Sequence, residues 1–284
     1  MIDFVYRFSR RIMPASIYQT IRGSYLGRQR KWENISTYRE IFSKYNTMLR
    51  ETGNDFTNKT ALEIGCGDQI YTALFLLASG CQKVILAEPK LQIFNNKDRV
   101  RHSVSIFKKA MPEFLLSDDE ITARLFWLND IRDIPDSFNN KVDIILTHLV
   151  LEHFDNLDLF FSAVHKFLVP NGISLNMVDL SDHIYHIFTR FKILAPLCRS
   201  NCLNHLRYSN KTFALLNDPK CFMNRYLLPM YCQKAAAHNL DCQISQKLLF
   251  DKKVRINSDV VNGLDIINED DLKAIGFTML LRKY

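Results

Sequence analysis

Five short apolar runs recur along residues 60–178, at 60–65, 83–88, 124–128, 142–147 and 173–178. Helix-patterned stretches lie between them. Residues 71–79 form one, stopped by Gly80. Roughly 91–116 form a second, rich in charge. Residues 157–168 form a third, stopped by Pro170, Asn171 and Gly172. Runs apolar throughout, with no polar alternate face, suit parallel strands buried on both sides. Parallel neighbours need long crossovers, which the helical stretches supply. This pattern predicts an α/β domain, a doubly wound Rossmann-like sheet. Two further strand-like pieces, near 242–250 and 276–283, close the chain.

In such a sheet, ligands bind beyond the carboxyl ends of the strands, where the strand order reverses. The first run leads into Leu62-Glu-Ile-Gly-Cys-Gly-Asp68, in a chain with only nine glycines. Glycine there permits a sharp turn and close approach of a ligand to the backbone; a tight strand-to-helix turn would by itself also call for it. A dinucleotide fingerprint would place Gly or Ala at position 70, which is Ile70, and no Gly-Lys-Ser/Thr phosphate loop occurs. Instead Glu63 precedes the glycines and Asp68 follows them. Acids suit a cationic ligand with an ammonium group, and S-adenosylmethionine is one. Glu88 ends the second run and is placed to accept two ribose hydroxyls. Asn129 and Asp130 end the third, where a polar side chain can meet an adenine amino group.

These phrases resemble the class I S-adenosylmethionine-dependent methyltransferases. Leu62 to Gly67 is similar to their first motif and Val84 to Glu88 to their acidic strand end. Val142-Asp-Ile-Ile-Leu-Thr-His-Leu-Val-Leu-Glu-His153 and Phe167-Leu-Val-Pro-Asn-Gly172 are similar to two later motifs. Gln69 and Asn171 depart from the commoner glycines, and Asn tolerates turns. The resemblance implies a seven-stranded sheet with an antiparallel last strand and S-adenosylhomocysteine as product. It implies cofactor contacts from Glu63, Gly65, Gly67, Glu88 and Asp130. Their neighbours Ile64, Cys66, Pro89, Asn129, Ile131, His148 and Leu149 complete the expected cofactor set. More loosely, residues 178–186, 223–225 and 268–283 resemble a subgroup found near bacterial glycan and surface-polysaccharide gene products. That implies a sugar or glycan-linked acceptor. A small-molecule or RNA methyltransferase, and a non-catalytic S-adenosylmethionine-binding scaffold, stay open as alternatives. Thr147-His-Leu-Val150 lacks the Asn/Asp-Pro-Pro-Tyr-like phrase of many RNA amino-methylating enzymes.

A hydroxyl acceptor must lose its proton, so a positioned base is needed. Past the fifth run, Asp179 and His183 stand four residues apart, as do Asp182 and His186. Such pairs share a helical face, and an Asp can fix a histidine tautomer and raise its basicity. His183 is the candidate base, with Asp179 or Asp182 supporting it; the competing reading is a capping and surface network. His148, ending the fourth run, would touch cofactor or acceptor. His186, Asn224 and Arg225 are candidate acceptor contacts, with a structural salt bridge as the rival role for the last two. His153 reads as a helix contact, and Phe188, Phe191 and Leu194 as a lid's own core. The Asp/His cluster is also where a divalent cation would sit, though no metal ligand is assigned.

Charge divides the chain unevenly. Residues 1–50 hold ten bases and three acids, which accounts for the whole formal charge of +7. They are expected to form a basic helical extension preceding a methyltransferase domain at 51–284, in which 179–240 is an acceptor-side insertion. Three readings compete for the extension. It is a solvated helical face over the cleft, a peripheral contact of residues 1–31 with anionic membrane, or a nucleic-acid surface. The neutral remainder and lack of an RNA-binding module argue against the last. Seven cysteines without a Cys-x-x-Cys pair, no membrane-length apolar run and no signal-peptide core predict a cytoplasmic protein with reduced thiols.

Overall fold

The computed structural model describes residues 7–8, 35–67, 69–88, 97–183, 202–217, 222–252, 254–264 and 268–284. Its strands are β1 (Thr60–Ile64), β2 (Lys83–Ala87), β3 (Leu125–Leu128), β4 (Val142–His148), β5 (Leu168–Asp179), β6 (Leu240–Leu249) and β7 (Ala274–Lys283). They form one sheet in the order β3-β2-β1-β4-β5-β7-β6. The first five are parallel, and β7 runs antiparallel to both β5 and β6. This is the doubly wound α/β sheet that the apolar runs predict, with the antiparallel last strand that the resemblance implies. The order reverses between β1 and β4, so the ligand crevice belongs at their carboxyl ends.

Successive strand residues enter opposite cores. Ala61, Val84, Ile144 and Leu175 pack toward α1 (Ile35–Glu51), α2 (Tyr71–Ala78) and α3 (Lys97–Ala110). Leu62, Ile85, Ile145 and Leu281 pack toward α5 (Leu157–Phe167) and α7 (Leu228–Ala237). Both faces are covered, which is why the strand sequences carry no polar alternate face. A smaller core gathers Cys202, Leu203, Leu206, Leu227 and Val260, and α6 (Asn210–Leu216) follows Leu206 along the chain.

Helix α2 is apolar around its whole circumference, and every residue from Tyr71 to Leu77 is buried. Such a helix needs cover on both sides. The sheet provides one side and α1 the other, with Tyr38 against Tyr71 and Phe42 stacked on Phe75 at 5.4 Å. Tyr45, Met48 and Leu49 of α1 join the same core. The last third of the basic segment 1–50 is therefore built into the helical layer of the sheet.

Two boundaries differ from the sequence pattern. The helix expected over 91–116 ends at Ala110, just before Pro112, which has no N–H to donate. A new helix, α4 (Asp118–Arg124), then starts with a capping box in which Ser117 and Glu120 satisfy each other's backbone N–H. Pro170-Asn171-Gly172, expected as a helix stop, instead lies within β5 as an irregularity. Asn171 there takes the left-handed φ of 64°, and the β4–β5 register shifts between Val142 and Ile144. Among the described residues, no helix is long and apolar enough to cross a membrane.

Candidate cofactor and acceptor site

The loop after β1 carries left-handed φ angles of 79° at Gly65 and 68° at Gly67. The two glycines do different work. A Cβ on Gly65 would lie 2.3 Å from Val150 Cγ2, so this position lets the β1 loop seat against the β4 loop. A Cβ on Gly67 would meet nothing within 4 Å. Gly67 faces open space, where a ligand can approach the backbone. The Gly67 amide donates to the Glu88 carboxylate at 3.1 Å. The Glu88 amide in turn donates to the Leu128 carbonyl at 3.1 Å, joining the ends of β2 and β3.

Glu63 is buried beneath this loop, and its Oε2 has no hydrogen-bond partner. Burial pushes its carboxyl up to about 8; a hydrogen bond from Thr72 pulls it down, and the charge of Glu88 adds to the rise. The Tyr45 hydroxyl of α1 is likewise buried without a partner, and burial plus the charge of Glu63 raises it. A buried carboxyl with one unpartnered oxygen, next to an open glycine turn, is short of a donor. That fits a positively charged ligand such as S-adenosylmethionine. Ile64 and Cys66, in the same loop, are buried.

At the end of β3, Asp130 caps the turn Ile131–Asp133 and binds the Arg132 guanidinium through both carboxylate oxygens at 2.8 Å. Arg132 holds the Asp130 carboxyl below its usual range. Asn129 is exposed and Ile131 buried. Of these two polar candidates for the adenine amino group, Asn129 thus has the exposed side chain. His148 ends β4 half-buried; burial, then the charge of Lys44 on α1, pushes it down to about 4. Leu149 is exposed in a left-handed conformation with φ 55°, held by its amide bond to the Met177 carbonyl at 2.8 Å.

Beyond β4 and β5 the expected Asp/His cluster is split. Asp179 accepts from the Ser181 amide at 2.8 Å and keeps its other oxygen 3.9 Å from His183 Nε2. Asp182 points elsewhere: it is buried in an ion pair with Arg7. Of the two acids expected to support His183, Asp179 lies within ion-pair range of it, while Asp182 is engaged by Arg7. His153, read as a helix contact, lies in the 3₁₀ turn Leu151–His153 with its ring 4.9 Å from that of His183. Glu152, in the same turn, is 1% exposed, and neither of its carboxyl oxygens has a hydrogen-bond partner. Burial pushes it up to about 8, and the charge of Asp179 adds to the rise.

Asn224 and Arg225 are both engaged within the fold. The Asn224 amide donates to the carbonyls of Leu151 and Phe154, and Arg225 binds the Tyr208 carbonyl and Asn210 while lying over Phe213. Asn224 thereby ties down the turn carrying Glu152, and Arg225 ties to the Tyr208–Asn210 segment. Pro89, His186, Asp68 and the expected lid residues Phe188, Phe191 and Leu194 lie outside the described residues. Sequence reasoning passed over Tyr45, Lys44 and Glu152. For Glu152 a signal existed, a lone acid after the apolar Leu149-Val-Leu151.

No curated protein matches the chain. Among solved structures, an S-adenosylmethionine-dependent methyltransferase from Mesorhizobium loti aligns at 11% identity and TM-score 0.47, covering 84% of this chain and 96% of its own. The 1,6-didemethyltoxoflavin-N1-methyltransferase of Burkholderia thailandensis aligns at 12% identity and TM-score 0.46, covering 95% of this chain and 90% of its own. The family model for the methyltransferase domain matches residues 31–222, well over half of the chain, taking in α1, the glycine loop and the Glu152 turn. The chain belongs to the methyltransferase domain family.

Proposed function

We propose that this protein transfers a methyl group from S-adenosylmethionine to a hydroxyl of a sugar or glycan-linked acceptor. The observation that carries the reading is the orphaned Glu63 carboxyl beneath the open Gly67 turn, with Glu88 bonded across it. When bound, S-adenosylmethionine supplies a methyl group already activated by its sulfonium. Glu63 and Glu88 hold and orient it, and S-adenosylhomocysteine is left as product.

The remaining work is alignment of the acceptor and removal of its proton. His183 takes that proton, steadied by Asp179 at 3.9 Å. His148 stays neutral at physiological pH, since it is pushed down to about 4, and lines the acceptor side as an uncharged group. The saccharide acceptor is supported by the resemblance of residues 178–186 and 223–225. Peripheral contact of residues 1–31 with anionic lipid would bring a lipid-linked acceptor close, although Arg7 is already paired with Asp182.

The test is transfer of labelled methyl from S-adenosylmethionine into isolated surface glycan or its precursors. Label in the saccharide fraction, falling about 10²- to 10⁴-fold in His183→Ala, supports the reading. Label in RNA or in small molecules alone overturns the acceptor assignment.

A further inference from the structure

We infer that Glu152, His153 and His183 form a binding site for one divalent cation on the acceptor side of the cleft. Each offers one ligand atom, and the three atoms lie within 4.8 Å of one another. Ligands about 2.0–2.2 Å from a common ion stand within roughly 4.3 Å of each other, so a small side-chain adjustment closes the set.

The second observation is Glu152 itself. It is 1% exposed, and both its oxygens lack a hydrogen-bond partner. A buried carboxylate is tolerated when it is paired or coordinates a metal. Among the described residues, no lysine or arginine pairs with it. Asp179, 3.9 Å from His183, adds negative charge to the same place.

His153 is already set for coordination. Its Nδ1 lies 2.5 Å from the Phe222 carbonyl. A carbonyl can only accept, so Nδ1 carries the proton, and Nε2 is the nitrogen that would coordinate in the neutral ring. A backbone carbonyl fixing the far nitrogen of a metal-bound histidine is the usual supporting contact. Asn224 strengthens the arrangement, holding the Leu151 and Phe154 carbonyls on either side of Glu152 and His153.

Two imidazoles and one carboxylate suit borderline ions such as Zn²⁺ or Mn²⁺ and leave open positions. The set lies beside Asp179, the last residue of β5. There an ion would hold acceptor oxygens and make a bound hydroxyl acidic enough to lose its proton to solvent, with His183 as ligand; in the ion-free site His183 takes the proton itself. This role rests on the proposed methyl transfer; the binding of the ion does not.

The test uses the full chain stripped with chelator and dialysed, then titrated calorimetrically with Mn²⁺, with Zn²⁺, and separately with S-adenosylmethionine. The expected result is one ion per chain, bound at least about tenfold more weakly by Glu152→Gln and by His183→Ala. His153→Ala, at an exposed position, supplies a variant with little risk of misfolding, and thermal melts check all three. S-adenosylmethionine binding should survive in each. Absence of saturable ion binding by the wild type, or wild-type ion affinity in all three variants, overturns the site. Ion binding without S-adenosylmethionine binding would instead overturn the proposed function and leave the site standing.

Discussion

The Gly67 amide donates a hydrogen bond to the Glu88 carboxylate at 3.1 Å, so the turn after β1 and the end of β2 meet at one carboxylate. The same side chain is the one proposed to accept ribose hydroxyls. Glu88→Ala removes both roles. Hydrogen bonds to a charged group contribute roughly 1.5–3 kcal/mol each. Calorimetry should show S-adenosylmethionine affinity falling about ten- to hundredfold, with the far-UV circular dichroism unchanged.

Gly65 leaves no room for a side chain. Gly65→Ala would bring Cβ to 2.3 Å from Val150 Cγ2, at a φ of 79° that alone costs an L residue about 1–2 kcal/mol. The variant should melt lower and bind cofactor weakly. Adding Val150→Ala should recover part of the loss by removing the clash, and the φ penalty should persist. Gly67→Ala, which meets no neighbour, should lose cofactor affinity with a smaller loss of stability.

Glu63 links stability to pH. Its ordinary value is 4.5 and its folded value about 8, raised by burial, with Thr72, Glu88 and Tyr45 as its facing groups. Between those values the folded chain keeps a proton that the unfolded chain has lost. Stability should therefore fall as pH rises through that window and level off above it. In cofactor-free protein, Glu63→Gln should flatten this slope relative to wild type, measured as Tm from pH 5 to 8.5.

Arg7 and Asp182 are a buried ion pair joining the N-terminal segment to the chain just past β5. Removing one partner of such a pair costs about 3–5 kcal/mol, because a buried charge is left uncompensated. Arg7→Ala and Asp182→Asn should each destabilise. The double variant should lose less than the sum, and a double-mutant cycle by chemical denaturation reads the difference.

The strands were legible because burial on both faces leaves continuous apolar runs, and the glycine loop because Gly65 and Gly67 sit where only glycine is free of strain. Glu63 and Glu88 were legible as acids at strand ends. The acceptor side was harder, since its partners come from distant parts of the chain. Asp182 stands one residue from His183 in sequence yet pairs with Arg7. Asn224 and Arg225 look like free polar groups in the sequence, but backbone carbonyls engage them. Glu152 gains its meaning from burial, which spacing alone does not reveal. Likewise α1 reads as a basic appendage by its charge, while Tyr38, Tyr45, Met48 and Leu49 on its other face build it into the core.

The central claim is that this fold holds S-adenosylmethionine over Glu63 and Glu88. Titration of the full chain with S-adenosylmethionine and with S-adenosylhomocysteine tests it most directly. The account predicts one saturable site per chain for each, weakened by Glu63→Gln and by Glu88→Ala. No binding at millimolar ligand, or binding indifferent to both substitutions, would contradict it.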